Sequence, residues 1–391
     1  MRRWLSASLG FVATILGTLI VLPRINETIW RLQLVLNEFP YSVTALGLFA
    51  AFKRPRTGIG TAFGLYGAAL SLMPLVRVPA AIDDMNTMMR EGLGTDYESQ
   101  IAPEMKKRLA SARLSLAGVA GFAYNKNHVS TLYDIPFSET PSRPLKLDVY
   151  RPLLAPGDGG KLYPAVIVIH GGSWAHGDKG GYFAPHNRYL ASQGYVVFDV
   201  QYRFTTLDQA LWPTQLDDIR AAIRWVKAHA AGFNIDPDRL ALLGRSAGAQ
   251  LALQAAYRAC DDAVDTQVKA VIAIYGPTNL RLTDSTHNER VVALLAGKSY
   301  EVPENYADAS PLDFARDGLP ATLLSHGTMD KLVSPVHSEL LLNRLCATDT
   351  PVVLLRVPWG RHGFDVFMNG LGAQLTQYHT DRFLAWSLYS Q

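Results

Sequence analysis

The chain has 391 residues, which is long for one compact domain and points to a large domain with an appendage, or to two domains. Its apolar share of 48% and charged share of 18% are skewed in the way that membrane-buried surface skews them. A formal charge of +3, with no basic run interleaved with aromatics, argues against nucleic acid as a partner.

The first third differs from the rest. Trp4–Leu22, "WLSASLGFVATILGTLIVL", carries no charge and is just long enough to cross a bilayer as a helix. Thr57–Val76 is a second uncharged stretch, rich in the Gly and Ala that membrane helices use for close packing. Between them Phe39–Phe52 is apolar but short, and reads as a tilted or re-entrant pass or as an interfacial helix. "MRRW" also suits the start of a signal peptide, but "LIVLPRINE" has no small-x-small cleavage site and more apolar segments follow, so an uncleaved anchor is expected. A buried helical hairpin in a soluble protein is the structural alternative. Residues 1–80 are therefore assigned to an anchor of two or three transmembrane helices. Arg2 and Arg3, and then Lys53, Arg54 and Arg56 of "KRPR", share the cytoplasmic side only if Phe39–Phe52 crosses. Three passes leave the C-terminal domain outside the cytoplasm and are the expectation; two would place it inside.

Residues 81–128 read as a linker. Within it "APEMKKRLASARLSLAGVAGFAY" has the pattern of an amphipathic helix with a basic early face, lying on the membrane, packed on the next domain, or simply solvated. From residue 129 the pattern changes. "HVSTLYDIPF" and "RPLKLDVYRP" look like an antiparallel strand pair. "PAVIVIH", "GYVVFDVQY", "RLALLG", "VKAVIAIYG", "PATLLSHG" and "PVVLLRVP" are buried strands with helical patterns between them. Such alternation implies an α/β fold with a mostly parallel central sheet covered by helices on both faces, its functional groups at the carboxyl ends of the strands.

Candidate chemistry falls at those ends. In "LALLGRSAGAQLAL", Ser246 stands between Gly244 and Gly248 where a strand gives way to a helix, the context of a nucleophile elbow. Serine is also a common helix N-cap, so the motif needs partners. His362 in "VPWGRHGFDVF" follows the last strand and is the candidate base; His326, His287, His176 and His186 default to surface or core roles. Asp330 lies in the loop after "ATLLS" and suits the orienting acid, with Asp365 and Asp313 as rivals. "HGGSW" after "PAVIVI" offers amides of Gly171 and Gly172 which, with that of Ala247, would form an oxyanion hole. Cys260 and Cys346 have no metal-type spacing, and each reads as a small buried hydrophobe late in a helix. No metal or cofactor is implied.

Taken together, "HGGSW", "GRSAG", Asp330 and His362 in that order resemble the α/β-hydrolase superfamily over about residues 129–391. More narrowly the chain is similar to the "HGG"-type serine esterases, the carboxylesterase and hormone-sensitive-lipase-like group with its feruloyl-esterase-like, formamidase-like and isoprenylcysteine methylesterase-like neighbours. "VQYRF…WPTQLDDIRAAIRWV", "AIYGPTNL" and "SPLDF" also match family positions. Two residues depart from the pattern: Ser173 where many members have a third glycine, and Arg245 where Asp, His or Glu commonly precedes the nucleophile. The resemblance implies a carboxylic ester hydrolase that uses Ser246, His362 and Asp330 through an acyl-enzyme; with the apolar N-terminal segments it reads as membrane-anchored, on an ester substrate that is lipid-like if the bilayer supplies it. An arylformamidase-like amidase or a non-catalytic binding module are the alternatives. The insertion over 279–310 is expected to cover the pocket as a cap or lid, and the oligomeric state is left open.

Overall fold

The computed structural model describes residues 2–24, 26–54, 57–115, 129–141, 143–153, 160, 162–258, 266–283 and 289–389. Cys260, His287 and part of the amphipathic linker segment therefore lie outside the described residues.

Eight strands form one sheet: β1 (Val129–Ser138), β2 (Leu145–Pro152), β3 (Tyr163–Ile169), β4 (Val196–Val200), β5 (Ile235–Arg245), β6 (Ala270–Ile274), β7 (Ala321–Gly327) and β8 (Val352–Val357). Their spatial order is β1-β2-β4-β3-β5-β6-β7-β8. β1 and β2 pair antiparallel, β2 pairs antiparallel with β4, and the remaining neighbours run parallel. The continuous apolar runs are explained by this position: β3, β4, β6 and β7 are buried along their whole length, which parallel strands sandwiched between helices require. Alternate residues feed two cores. Ala165, Ile167 and Ile169 face the helices Thr214–Ala228 and Ala247–Tyr257. Val166 and Val168 face Ala184–Ser192 and the final helix Leu371–Tyr389.

The N-terminal third is helical: α1 (Arg2–Val21), α2 (Glu27–Glu38), α3 (Pro40–Phe52), α4 (Gly58–Ser71) and α5 (Met73–Leu93). Gly10 lies on Gly60 and Gly64, and Gly17 on Gly67, so α1 and α4 run parallel. α3 runs against them, with Thr61 Oγ1 donating to Ala51 O and Thr44 beside Ser71. The start of α1, the end of α3 and the start of α4 thus share one end of the bundle, and the sheet lies at the other. Trp4–Val21 and Gly58–Leu93 are long and apolar enough to cross a membrane; α2 and α3, bent by 83°, make a third candidate if taken as one broken span.

Two sequence expectations need correction. Among the described residues of the linker segment read as an amphipathic helix, only Pro103–Lys106 is helical and residues 107–115 form turns and bends. The helix of this region is instead α5, whose Val78, Ala81, Met85, Met89 and Leu93 enter the core beneath β8. Cys346 is exposed, because the helix Val336–Leu345 turns Leu341, Leu342 and Leu345 inward and Cys346 caps its other side. In the insertion, helices Glu289–Leu295 and Pro303–Asp308 bury Leu294, Leu295 and Tyr306 and pack by the helix that follows Ser246, where Gln250 and Gln254 bond to Ala309 O and Asp308 O.

The closest approach of α5 to the sheet is at Gly92, where a Cβ would fall 2.0 Å from Val352 O. Gly92→Ala should therefore cost about 1–3 kcal/mol through overpacking against a backbone that cannot yield. Gly232→Ala, at a position with open space around it, should leave the melting temperature unchanged or higher, and paired thermal melts of the two variants check this.

Candidate active site

Ser246 occupies the step from β5 into the helix Ala247–Tyr257 with φ 54° and ψ −122°, a backbone state strained for a residue with a Cβ. The turn is possible because its flanks carry no side chains. A Cβ on Gly244 would meet Gly248 O at 2.1 Å, and one on Gly248 would meet Ile169 O at 2.2 Å. Ser246 N donates to Ile274 O at 2.9 Å, which ties the turn to the end of β6.

His362 and Asp330 reach it from the loops after β8 and β7. His362 Nε2 lies 3.0 Å from Ser246 Oγ, and its Nδ1 lies 2.7 Å from Asp330 Oδ2. An ionised carboxylate only accepts, so Nδ1 carries the proton and Nε2 is left to accept from the serine hydroxyl. Asp330 is 1% exposed, and its Oδ1 accepts from the amides of Leu332 and Val333 at 2.8 and 3.0 Å. Burial opposes its ionisation, but His362 and His326 beside it hold the carboxyl well below the usual range. His326 is a core residue, its Nδ1 2.7 Å from Ser338 Oγ and its Nε2 3.0 Å from Val333 O.

The third element is the loop after β3. Gly171 abuts the serine: a Cβ there would sit 3.1 Å from Ser246 Cβ and 2.9 Å from Arg245 O. Gly172 has φ 135°, and Ser173, where a third glycine is usual, takes the left-handed value of 50° itself. Trp174 is buried and pins the loop, its indole N–H donating to Gln250 Oε1 at 2.9 Å. The amide of Ala247 opens its helix and has no acceptor within it. Gly171 and the first turn of this helix thus both adjoin Ser246, and backbone amides there would suit negative charge developing on a carbonyl oxygen.

The rival residues go elsewhere. Asp313 pairs with Arg281 at the surface. Asp365 is buried, taking Arg245 Nε on Oδ2 at 2.7 Å and the Tyr275 hydroxyl on Oδ1 at 2.6 Å. Burial raises its pKa, yet Arg245, His186 and the Tyr275 hydroxyl together outweigh that and keep it below the ordinary range. The Tyr275 ring packs 4.6 Å from that of His362, and Arg245 stacks on Phe183 at 3.9 Å. His176 is exposed, while His186 is buried and pushed down to about 3 by burial and by the charge of Arg245. Sequence reasoning missed this network; the signal was a basic residue inside one motif and an acidic one three places beyond the candidate histidine.

The BD-FAE family matches residues 147–345, more than half of the chain. The chain belongs to the BD-FAE family. It is a carboxylic ester hydrolase of the α/β-hydrolase fold, and its relatives bear related names. It is 28% identical to the probable carboxylic ester hydrolase LipM of Mycobacterium tuberculosis over 377 residues, 91% of this chain and 86% of that protein. Esterase LipC of the same organism is 32% identical over 56% of this chain and 57% of its own length. Among solved structures, the propionate-bound Est2 esterase of Thermogutta terrifontis shares the fold, with a TM-score of 0.53 at 23% identity, covering 68% of this chain and 94% of that one.

Two measurements follow. Arg245→Met leaves Asp365 charged and buried without its partner, and should destabilise the protein by about 3–5 kcal/mol, whereas Arg245→Met with Asp365→Leu should recover most of the loss in a denaturation series. The depressed folded-state pKa of Asp330 means that its stabilising contribution is present above the unfolded value of about 4 and fades as the pH falls through the folded one. Asp330→Asn should therefore lower the melting temperature more at about pH 7 than at about pH 3.

Proposed function

We propose that the protein is a membrane-anchored serine esterase working through an acyl-enzyme. Ser246 Oγ attacks the ester carbonyl as its proton passes to His362 Nε2, and Asp330 holds the ring and stabilises the imidazolium. The oxyanion takes its hydrogen bonds from the amides of Gly171, Gly172 and Ala247. His362 then protonates the leaving alcohol and afterwards activates the water that frees the acid. The observation that carries this reading is the continuous line Asp330–His362–Ser246, at 2.7 and 3.0 Å.

Anchoring is supported by the outer surface of the N-terminal bundle, where Trp4, Phe11, Phe49, Ile59, Tyr66 and Val76 are exposed. An apolar surface of this kind calls for lipid. We divide the chain into an anchor over 1–80, a connecting region over 81–128 and a catalytic domain over 129–391, with 279–310 covering the site. In a three-pass arrangement Lys53 and the start of α1 lie on the cytoplasmic side, and the catalytic domain lies on the opposite one. A site at that end of the bundle suits an ester with a lipid-like acyl or alcohol part.

Membranes holding the full chain, treated with a fluorophosphonate probe, test both parts. Wild type should label and Ser246→Ala should not, and His362→Ala should label about 10³-fold more slowly or less. The labelled band should stay with the membranes after an alkaline wash, and the preparation should prefer p-nitrophenyl esters to N-formyl aromatic amides. Equal labelling of the alanine variant would overturn the assignment of Ser246, and release by the wash would overturn the anchoring.

A further inference from the structure

The segment carrying His362 leaves the sheet after Val357 and regains regular structure only at Leu371. Both of its ends are held by the N-terminal helices. Arg361, the residue before His362, is 1% exposed. Its Nη2 donates to Ile20 O at 3.2 Å and to Leu22 O at 2.6 Å. These are among the last carbonyls of α1, which no amide of that helix can reach. Gln33 of α2 serves their neighbours, donating to Leu19, Leu22 and Pro23 at 3.0–3.1 Å. A guanidinium at a helix C-terminus is further favoured by the helix dipole. Nε and Nη1 of Arg361 have no hydrogen-bond partner among the described residues, so the two carbonyls are what receive this cation.

The other end mirrors the first. Glu38, closing α2, accepts from Gly372 N at 2.7 Å and so caps the start of the final helix. The ring of Phe39 meets Phe367 edge-on at 5.6 Å. Between these anchors Leu34 Cδ2 lies 3.8 Å from the point where a side chain on Gly363 would begin.

We propose that Arg361 is a positioning residue for His362, and that the end of α1 together with α2 forms part of the seat of the catalytic histidine. The N-terminal helices then contribute to turnover as well as to location. This rests on the reading of Ser246, His362 and Asp330 as the catalytic relay. Their hydrogen-bond line tolerates little displacement, since a shift of about 1 Å at a reacting group can cost about 10²-fold in rate. Having no strand or helix of its own, the segment takes its place from side chains: Asp365 on Arg245 from the elbow, and Arg361 and Glu38 on the N-terminal helices.

The test uses the full chain in detergent or in phosphatidylcholine nanodiscs, with a soluble p-nitrophenyl ester and a fluorophosphonate probe. Folded Arg361→Met should lose about 10- to 100-fold in kcat and label Ser246 more slowly by the same factor, with KM close to that of wild type. Arg361→Lys keeps a cation that can reach the same carbonyls and should recover most of the loss. Leu34→Ala, acting from the α2 side of the contact, should show a smaller loss of the same kind. Arg24→Ala, which removes the pair with Glu27 and the contact over Trp30 at the same turn without touching the loop of His362, should leave kcat unchanged. Wild-type kcat in folded Arg361→Met overturns the proposal. Should that variant fail to accumulate, wild-type kcat in Leu34→Ala overturns it. Failure of the underlying reading is separate and shows as labelling of Ser246→Ala or full activity in His362→Ala.

Discussion

Ser246 and His362 leave the sheet three strands apart, one after β5 and the other after β8. At the usual spacing of about 4.8 Å between strands, that is a gap of about 14 Å to be bridged above the carboxyl edge. The features around the site answer this gap. Tyr275 at the end of β6 and Asp330 beyond β7 lie along the way, one packing on the imidazole and the other bonding it. Asp365 reaches back to Arg245, so the loop after β8 is fastened to the last residue of β5, directly before Ser246. Arg245, unusual beside family patterns, is the near end of that fastening. A buried ion pair adds little net stability, but it fixes the register of two segments far apart in sequence.

The same gap explains why the N-terminal third is not a detachable appendage. α5 supplies Val78, Met85 and Met89 to the core on one face of the sheet. Caps run in both directions between the two parts: Arg361 from the loop after β8 goes to the carboxyl end of α1, and Glu38 from α2 goes to the amino end of the final helix. Each cap satisfies groups that a helix cannot satisfy internally.

Strands were legible because burial on both faces writes itself as uninterrupted apolar runs, and "PAVIVIH" is β3 almost residue for residue. The order of Ser246, Asp330 and His362 was legible too, since each residue follows one of those runs. α2 was not, because it turns Gln33 and Glu38 inward to serve other helices' termini, and Asn37 inward onto Gln33 O; a reading that looks for apolar residues inside passes over such a helix. The linker misled for the converse reason: an amphipathic pattern over residues 102–124 is compatible with a helix, yet the sheet edge is covered by α5. Cys346 shows the limit of residue-type averages. It falls one place past an inward-facing leucine, and that rotation is enough to expose it.

From Gly58 to Leu93 the chain is a single run of 36 helical residues, about 54 Å at 1.5 Å per residue. Its first part lies in the apolar bundle and its last turns press Gly92 against β8. Such a connection is a strut and not a leash. It joins the sheet that carries Ser246 to the bundle through helix, with no loop between them. In the membrane-anchored arrangement proposed above, an enzyme mounted in this way works on what arrives at its own surface, and a target on a facing membrane stays beyond its grasp.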